Sequence, residues 1–284
     1  MTLGVPLGLG SGLCWGAADF FGGLQSRRLP ALSVVLWSQV AGALALLAAL
    51  AVQGTGPTKP ALAWGVAAGA AGGSALLLFY RGLAEGAMSV VAPVAACGAL
   101  VPVVAAILRG ELPGRVAVLG IVAAVTGVVL VSRSPDPHQH PGGRPGRVLA
   151  LALAAALGFG LFLVFVDAGA ATPGAAPLWV IGGGRAGSLL LLSAIALTLR
   201  RAQAGWPGRR IGAVALVGIA DTTANVLFAL AATTGNLAVV GVLGSLYPVA
   251  TVLLARWLLR ERLSGGQNAG VVLALTGVGL LAAG

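Results

Sequence analysis

Apolar and polar positions alternate along this chain in whole segments. Stretches of about 20 residues with almost no charge recur from one end to the other, separated by short breaks carrying Pro, Gly, Arg and Glu. A stretch of that length spans the hydrocarbon core of a bilayer as a helix. Cutting at the breaks gives ten spans, over 4–24, 31–53, 61–82, 87–108, 115–132, 147–166, 175–199, 211–232, 237–258 and 266–283. The longest polar insert, Arg133 to Arg147 (RSPDPHQHPGGRPGR), falls at the middle, and its Pro and Gly content marks a linker. The pattern predicts an all-α membrane protein of about ten transmembrane helices: a five-helix half over 1–132, a polar linker loop over 133–146 and a second five-helix half over 147–284.

An internal repeat supports this division. Glu111, Gly120 and Gly127 recur as Glu261, Gly270 and Gly277 with identical spacing, each set near the end of its half. Upstream, Phe79, Gly86, Val90 and Val91 match Phe228, Gly235, Val239 and Val240, in a register one residue different. Five spans per half is an odd number, so the second half enters the bilayer upside down relative to the first. Inverted repeats of this kind are an architecture of secondary transporters, with the solute site near the midplane between the halves.

Composition narrows the class. Hydrophobic residues make up 58% of the chain and charged residues only 8%, too little charge to coat a globule facing water. The 45 glycines suit helices that approach closely in lipid. A net charge of +10 would suit nucleic acid, but the basic residues are scattered through short loops, with no basic stripe interleaved with aromatics. They read instead as topology signals, and no nucleic-acid partner is expected. Cys14 and Cys97 lie inside apolar spans and are expected to be inert thiols. His138 and His140 share the linker without Cys or carboxylate neighbours and are expected to be solvated, so no metal is assigned. There is no HExxH, no G-x-S-x-G, no P-loop and no G-x-G-x-x-G at a strand-helix turn. The reading is a non-enzyme with no cofactor. If it transports, an ion or solute gradient must drive it.

The chemistry lies in polar groups inside the spans, where an ionisable side chain costs on the order of 3 kcal/mol. Asp19 stands in the first span with Trp15, Gly12 and Gly8 on its face, and either binds a cation, a substrate amine or a coupling proton, or makes an interhelical hydrogen bond. Asp221 and Asn225 share a face of the eighth span at i,i+4 spacing. Arg185 lies in the seventh span among Gly182, Gly183, Gly184 and Gly187, with Gln39 at a comparable place in the second. Arg185 keeps its proton and needs a partner: a substrate carboxylate, or one of Asp19, Asp167 and Asp221. Trp15 and Tyr247 lie deep enough to wall a pocket, whereas Trp64 and Trp206 suit the membrane interface. Pro93, Pro102 and Pro248 allow kinks. Glu111 and Glu261, at span ends, read as structural. The candidate cavity-lining set is therefore Trp15, Asp19, Gln39, Arg185, Asp221, Asn225 and Tyr247.

Arg109-Gly110-Glu111 and Arg260-Glu261-Arg262, each closing an apolar span and followed by Gly120 and Gly270, resemble the signature of EamA-type transporters in the drug/metabolite transporter superfamily. Trp15-Gly16 and Phe159-Gly160 resemble that family's aromatic-Gly pair. Ser245-Leu246-Tyr247-Pro248 resembles the segment preceding its Gly-Glu element, in which Arg260 here replaces the Gly. The likeness covers nearly the whole chain as two copies. It implies a ten-helix secondary carrier or exporter of small metabolites with both termini in the cytoplasm. The arginines point the other way: they concentrate in the loops after spans 1, 5, 7 and 9, which the positive-inside rule places in the cytoplasm, with both termini outside.

The leading expectation is a multi-pass protein of the cell inner (plasma) membrane, a secondary transporter exporting a small organic metabolite, amino acid or drug by alternating access. Its partners are then the lipid bilayer, a small-molecule solute and a coupling proton. The alternative is a non-transporting membrane receptor or scaffold, in which the intramembrane charges pair with one another.

Overall fold

The computed structural model describes residues 3–54, 56–108, 110, 114–133, 145–198, 204–234, 243–244 and 246–283, and every regular element among them is helical. The linker with His138 and His140, Glu111, and residues 237–242 of the ninth span lie outside the described residues.

The α-helices of the described residues are, in chain order, α1 (Gly4–Ser26), α2 (Ala31–Gln53), α3 (Lys59–Glu85), α4 (Met88–Ala96), α5 (Leu100–Leu108), α6 (Arg115–Arg133), α7 (Pro145–Ala170), α8 (Pro177–Thr198), α9 (Ile211–Thr234), α10 (Tyr247–Leu258) and α11 (Gly265–Ala283). The fourth predicted span is two of these, α4 and α5, joined by a 3₁₀ turn at Cys97–Ala99. Pro93 and Pro102 flank that turn, and each removes an N–H from the helical ladder. Pro248, expected inside a span, stands instead in the first turn of α10, where its missing N–H would have no helical partner anyway.

Among the described residues, seven helical stretches are long and apolar enough to cross a bilayer by themselves, and Arg115–Leu130 and Tyr247–Leu258 are shorter apolar helices. The 23-residue α1 is not among the seven, because its glycines, Ser11, Asp19, Gln25 and Ser26 lower its hydropathy. Large apolar side chains cover the outside: Leu13, Leu44, Leu119, Leu190, Leu216 and Val272 are each more than 60% exposed. Such a surface has lipid as its solvent.

The helices of the two halves interleave. α1 packs on α9 and α10, α3 on α7 and α8, α2 on α8 and α9, α4 on α7, and α6 on α11. If each half's helices are matched in order, exchanging the halves turns this set of pairs into itself: α1 with α9 becomes α7 with α3, α1 with α10 becomes α7 with α4, and α6 with α11 is its own image. The repeated glycines make the last crossing. A Cβ on Gly120 would lie 2.9 Å from the Gly277 carbonyl oxygen, and one on Gly127 would lie 2.6 Å from that of Gly270. Only a residue without Cβ permits that approach of two backbones. Each glycine thus meets the repeat mate of the other glycine on its own helix.

One end of the bundle gathers arginines. Arg27, just past α1, donates to the carbonyls of Leu83 and Gly86 at 3.3 and 3.2 Å, and Arg147 near the start of α7 pairs with Glu85 at the end of α3 at 3.1 Å. Arg210, before α9, reaches Gln25 at 3.4 Å. The start of α1 and the end of α11 lie at the opposite end.

Candidate functional site

Arg185 sits on α8, eight residues from its first residue and about 12 Å in at 1.5 Å per residue. Its guanidinium is buried and bonded to side chains of both α2 and α9. Nη1 donates to Gln39 Oε1 at 2.7 Å, while Nη2 donates to Asp221 Oδ2 and, at 3.0 Å, to Thr222 Oγ1. Thr222 in turn donates to the Gly42 carbonyl at 3.0 Å. Gly42 makes room for this arrangement, since a Cβ there would lie 2.7 Å from Thr222 Oγ1. Of the three carboxylates open to Arg185 from the sequence, Asp221 takes it. Asn225 Nδ2 donates to the Asp221 carbonyl on the same helix at 2.7 Å, and among the described residues it makes no bond to another helix.

Asp19 is different. It lies on α1, within electrostatic range of Asp221, Tyr80 and Tyr247, and so faces α9, α3 and α10. Among the described residues its carboxylate has no hydrogen bond and no ion pair, and it remains half-buried. One turn earlier, the Trp15 ring meets Phe228 of α9 at 5.6 Å and Tyr247 of α10 at 6.4 Å between centroids. Phe228 follows Asp221 at i+7 and Asn225 at i+3, so one face of α9 carries all three. Polar ties hold the helices around this group. Ser11 donates to the Ala224 carbonyl at 2.9 Å, and Thr251 to the Gly16 carbonyl at 3.1 Å.

The predicted residues thus fall into two adjoining sets. Gln39, Arg185 and Asp221 form one hydrogen-bonded unit, with Asn225 attached to its backbone. Trp15, Asp19 and Tyr247 form an aromatic wall beside a lone carboxylate. Sequence reading missed Tyr80, Thr222 and Phe228. Tyr80 is fully buried and donates to the Ala18 carbonyl at 3.3 Å, next to Asp19. Thr222 adjoins Asp221 in the chain, which was the available signal; nothing local distinguishes Phe228 from other apolar positions.

Glu261 occupies a third place, at the arginine-rich end. It accepts from Arg27 at 3.3 Å and from the backbone N–H groups of Met88 and Ser89 at 3.0 and 2.9 Å. A carboxylate at those first N–H groups of α4 satisfies donors that have no partner within the helix. Its role is structural, as its position suggested, and its partner Arg27 comes from the other half.

The sequence profile of the EamA-like transporter family matches the chain twice, over residues 2–133 and 146–283. Among solved structures, a crystal structure 19% identical in sequence aligns over 98% of this chain and 96% of its own, with a TM-score of 0.63, which shows a shared fold. No curated protein matches the sequence.

Proposed function

The chain belongs to the EamA-like transporter family, and from that premise we propose that it is a secondary transporter exporting a small organic solute by alternating access. Ten spans form two inverted five-helix halves, with α4 and α5 crossing as one broken span. The exchange symmetry of the helix pairs supports inversion, because a repeat that packs onto its own image needs a twofold relation. Trp15, Asp19 and Tyr247 line the solute path, and the Gln39–Arg185–Asp221 unit with Asn225 holds α2, α8 and α9 beside it. A proton on Asp19 is the candidate coupling ion.

The observation that carries the reading is the lone carboxylate. A non-transporting receptor or scaffold has its intramembrane charges paired with each other, as Arg185 and Asp221 are. Asp19 has no such partner among the described residues, and a carboxylate kept in that setting serves an exchangeable ligand. The protein resides in the inner membrane with its arginine-rich end in the cytoplasm, following the positive-inside rule. The start of α1 and the end of α11 then face outward, so alkaline phosphatase fused behind residue 284 is active.

Export is tested by growth of a sensitive bacterial host on a panel of toxic metabolites, amino-acid analogues and drugs, with matched expression of wild type, Asp19→Asn or empty vector. Wild type protects against at least one compound, and Asp19→Asn does not. Failure of wild type to protect against any compound would sink the exporter reading.

A further inference from the structure

The charges deep in the bundle do not cancel. Among the described residues, Asp19, Arg185 and Asp221 are the charged groups at least seven residues from both ends of their helices. Arg185 and Asp221 neutralise each other, which leaves the region one negative charge, on Asp19. The guanidinium is committed to that pair: Nη1 donates to Gln39, and Nη2 donates to Asp221 and Thr222. An anionic solute entering here would meet an uncompensated carboxylate and an arginine already in use.

The surroundings of that carboxylate are aromatic. Trp15 is on its own helix face, and Trp15 contacts both Phe228 and Tyr247. Tyr80 closes the group from α3, its hydroxyl turned to the Ala18 carbonyl. Trp15, Asp19, Phe228 and Tyr247 are all half-buried. The lipid side of α1 is marked by the exposed Leu9, Leu13 and Phe21, so the open side of Asp19 faces the space between helices. A negative charge beside tryptophan, tyrosine and phenylalanine faces selects one ligand chemistry: a cation whose charge pairs with the carboxylate and whose apolar body lies on the rings.

We propose that the Trp15–Asp19 face of α1, with Phe228 and Tyr247, is a binding site for a monovalent organic cation, an amine or quaternary ammonium with an apolar or aromatic body. The inference rests on the transporter reading for its purpose and on the charge balance for its chemistry. One positive charge on the solute restores neutrality, and a proton is its natural competitor for the same oxygen atoms. A zwitterion is disfavoured because Arg185, the one cation at this depth among the described residues, is already paired with Asp221.

The test uses the full chain in detergent micelles and radiolabelled trimethyl(2-phenylethyl)ammonium as the probe. Wild type binds it saturably, the unlabelled cation displaces it, and equal concentrations of 3-phenylpropionate or 2-phenylethanol do not. Asp19→Asn, shown folded by its thermal melt, weakens binding at least about tenfold, and Asp19→Glu restores most of it. Trp15→Ala weakens it by roughly three- to tenfold through the lost ring face. Unchanged binding in Asp19→Asn, displacement by 3-phenylpropionate, or no saturable binding to folded wild type overturns the cation site. The same preparations in proteoliposomes separate the two readings. Cation binding without movement across the bilayer overturns transport and keeps the site. Counterflow of an amino acid or neutral solute, but not of the cation, overturns the site and keeps transport.

Discussion

The chain reversals that close the fourth and ninth spans ask the same conformation of the backbone and receive different residues. At the first, Gly110 takes φ +87° and donates its N–H to the Ile107 carbonyl at 2.9 Å. At the second, Arg260 takes φ +54°, and among the described residues it is the one non-glycine in that region. The left-handed conformation costs a residue with a Cβ roughly 1–2 kcal/mol, and glycine almost nothing. The second reversal carries this strain because the next residue is held from three sides. Glu261 accepts from Arg27, Met88 and Ser89, and its own N–H reaches the Ala255 carbonyl at 3.4 Å. The sequence repeat keeps the glutamate after each of these positions, and the strained residue of the second precedes a carboxylate anchored by three donors.

The comparison breaks most strongly at the anchor. Glu261→Ala orphans two N–H groups of α4 and strips Arg27 of its counter-charge, for a loss of about 3 kcal/mol. Thermal melting in detergent reads it, and an unmoved midpoint would show that the backbone alone holds the turn. Arg27→Ala leaves Glu261 on α4 but removes the tie to α1, and lowers stability by roughly 1–2 kcal/mol in the same assay. Arg260→Gly sharpens the comparison by making the two reversals alike: it raises the melting midpoint, by up to about 1 kcal/mol of stability, while Gly110→Ala loses about 1 kcal/mol. If Arg260→Gly is destabilising, the Arg260 side chain supports the turn in a way that outweighs its strain. The smallest effect belongs to the exposed pair at the same end of the bundle. Glu85 and Arg147 are 31% and 64% exposed, so Glu85→Gln shifts stability by less than about 0.5 kcal/mol.

Much of the scaffold was legible because its signals are local. Span lengths follow from runs of apolar residues, and the described helices begin and end within a few residues of the sequence reading except at the fourth and ninth. The break at Cys97–Ala99 was hidden because two prolines weaken a ladder without fixing where the chain adopts a tighter turn. Repeat spacing exposed Gly120, Gly127, Gly270 and Gly277, but not that Gly120 meets Gly277. That depends on which helices cross. The candidate site divides in the same way. Charge inside a span singled out Asp19, Arg185 and Asp221 without contact information. The choice of Asp221 as the partner of Arg185, and the lack of a partner for Asp19 among the described residues, are set by helix placement over sequence separations that no local pattern encodes. Asn225 shares a face with Asp221 by spacing alone, and its bond to the Asp221 carbonyl lies within its own helix.

The crossing of α6 and α11 has a consequence for how the protein is made. The two helices are separated by about 130 residues, so at roughly 5–20 residues per second α6 enters the bilayer on the order of ten seconds before its main packing partner exists. For that interval its glycine groove is open to lipid, and the nascent chain is an incomplete client for insertion factors and membrane proteases. A stop codon ahead of residue 265 makes this state permanent. A bulky residue at Gly277 mimics it by blocking the groove's late occupant. Both lesions show first as loss of protein from the membrane, before any solute is offered to it.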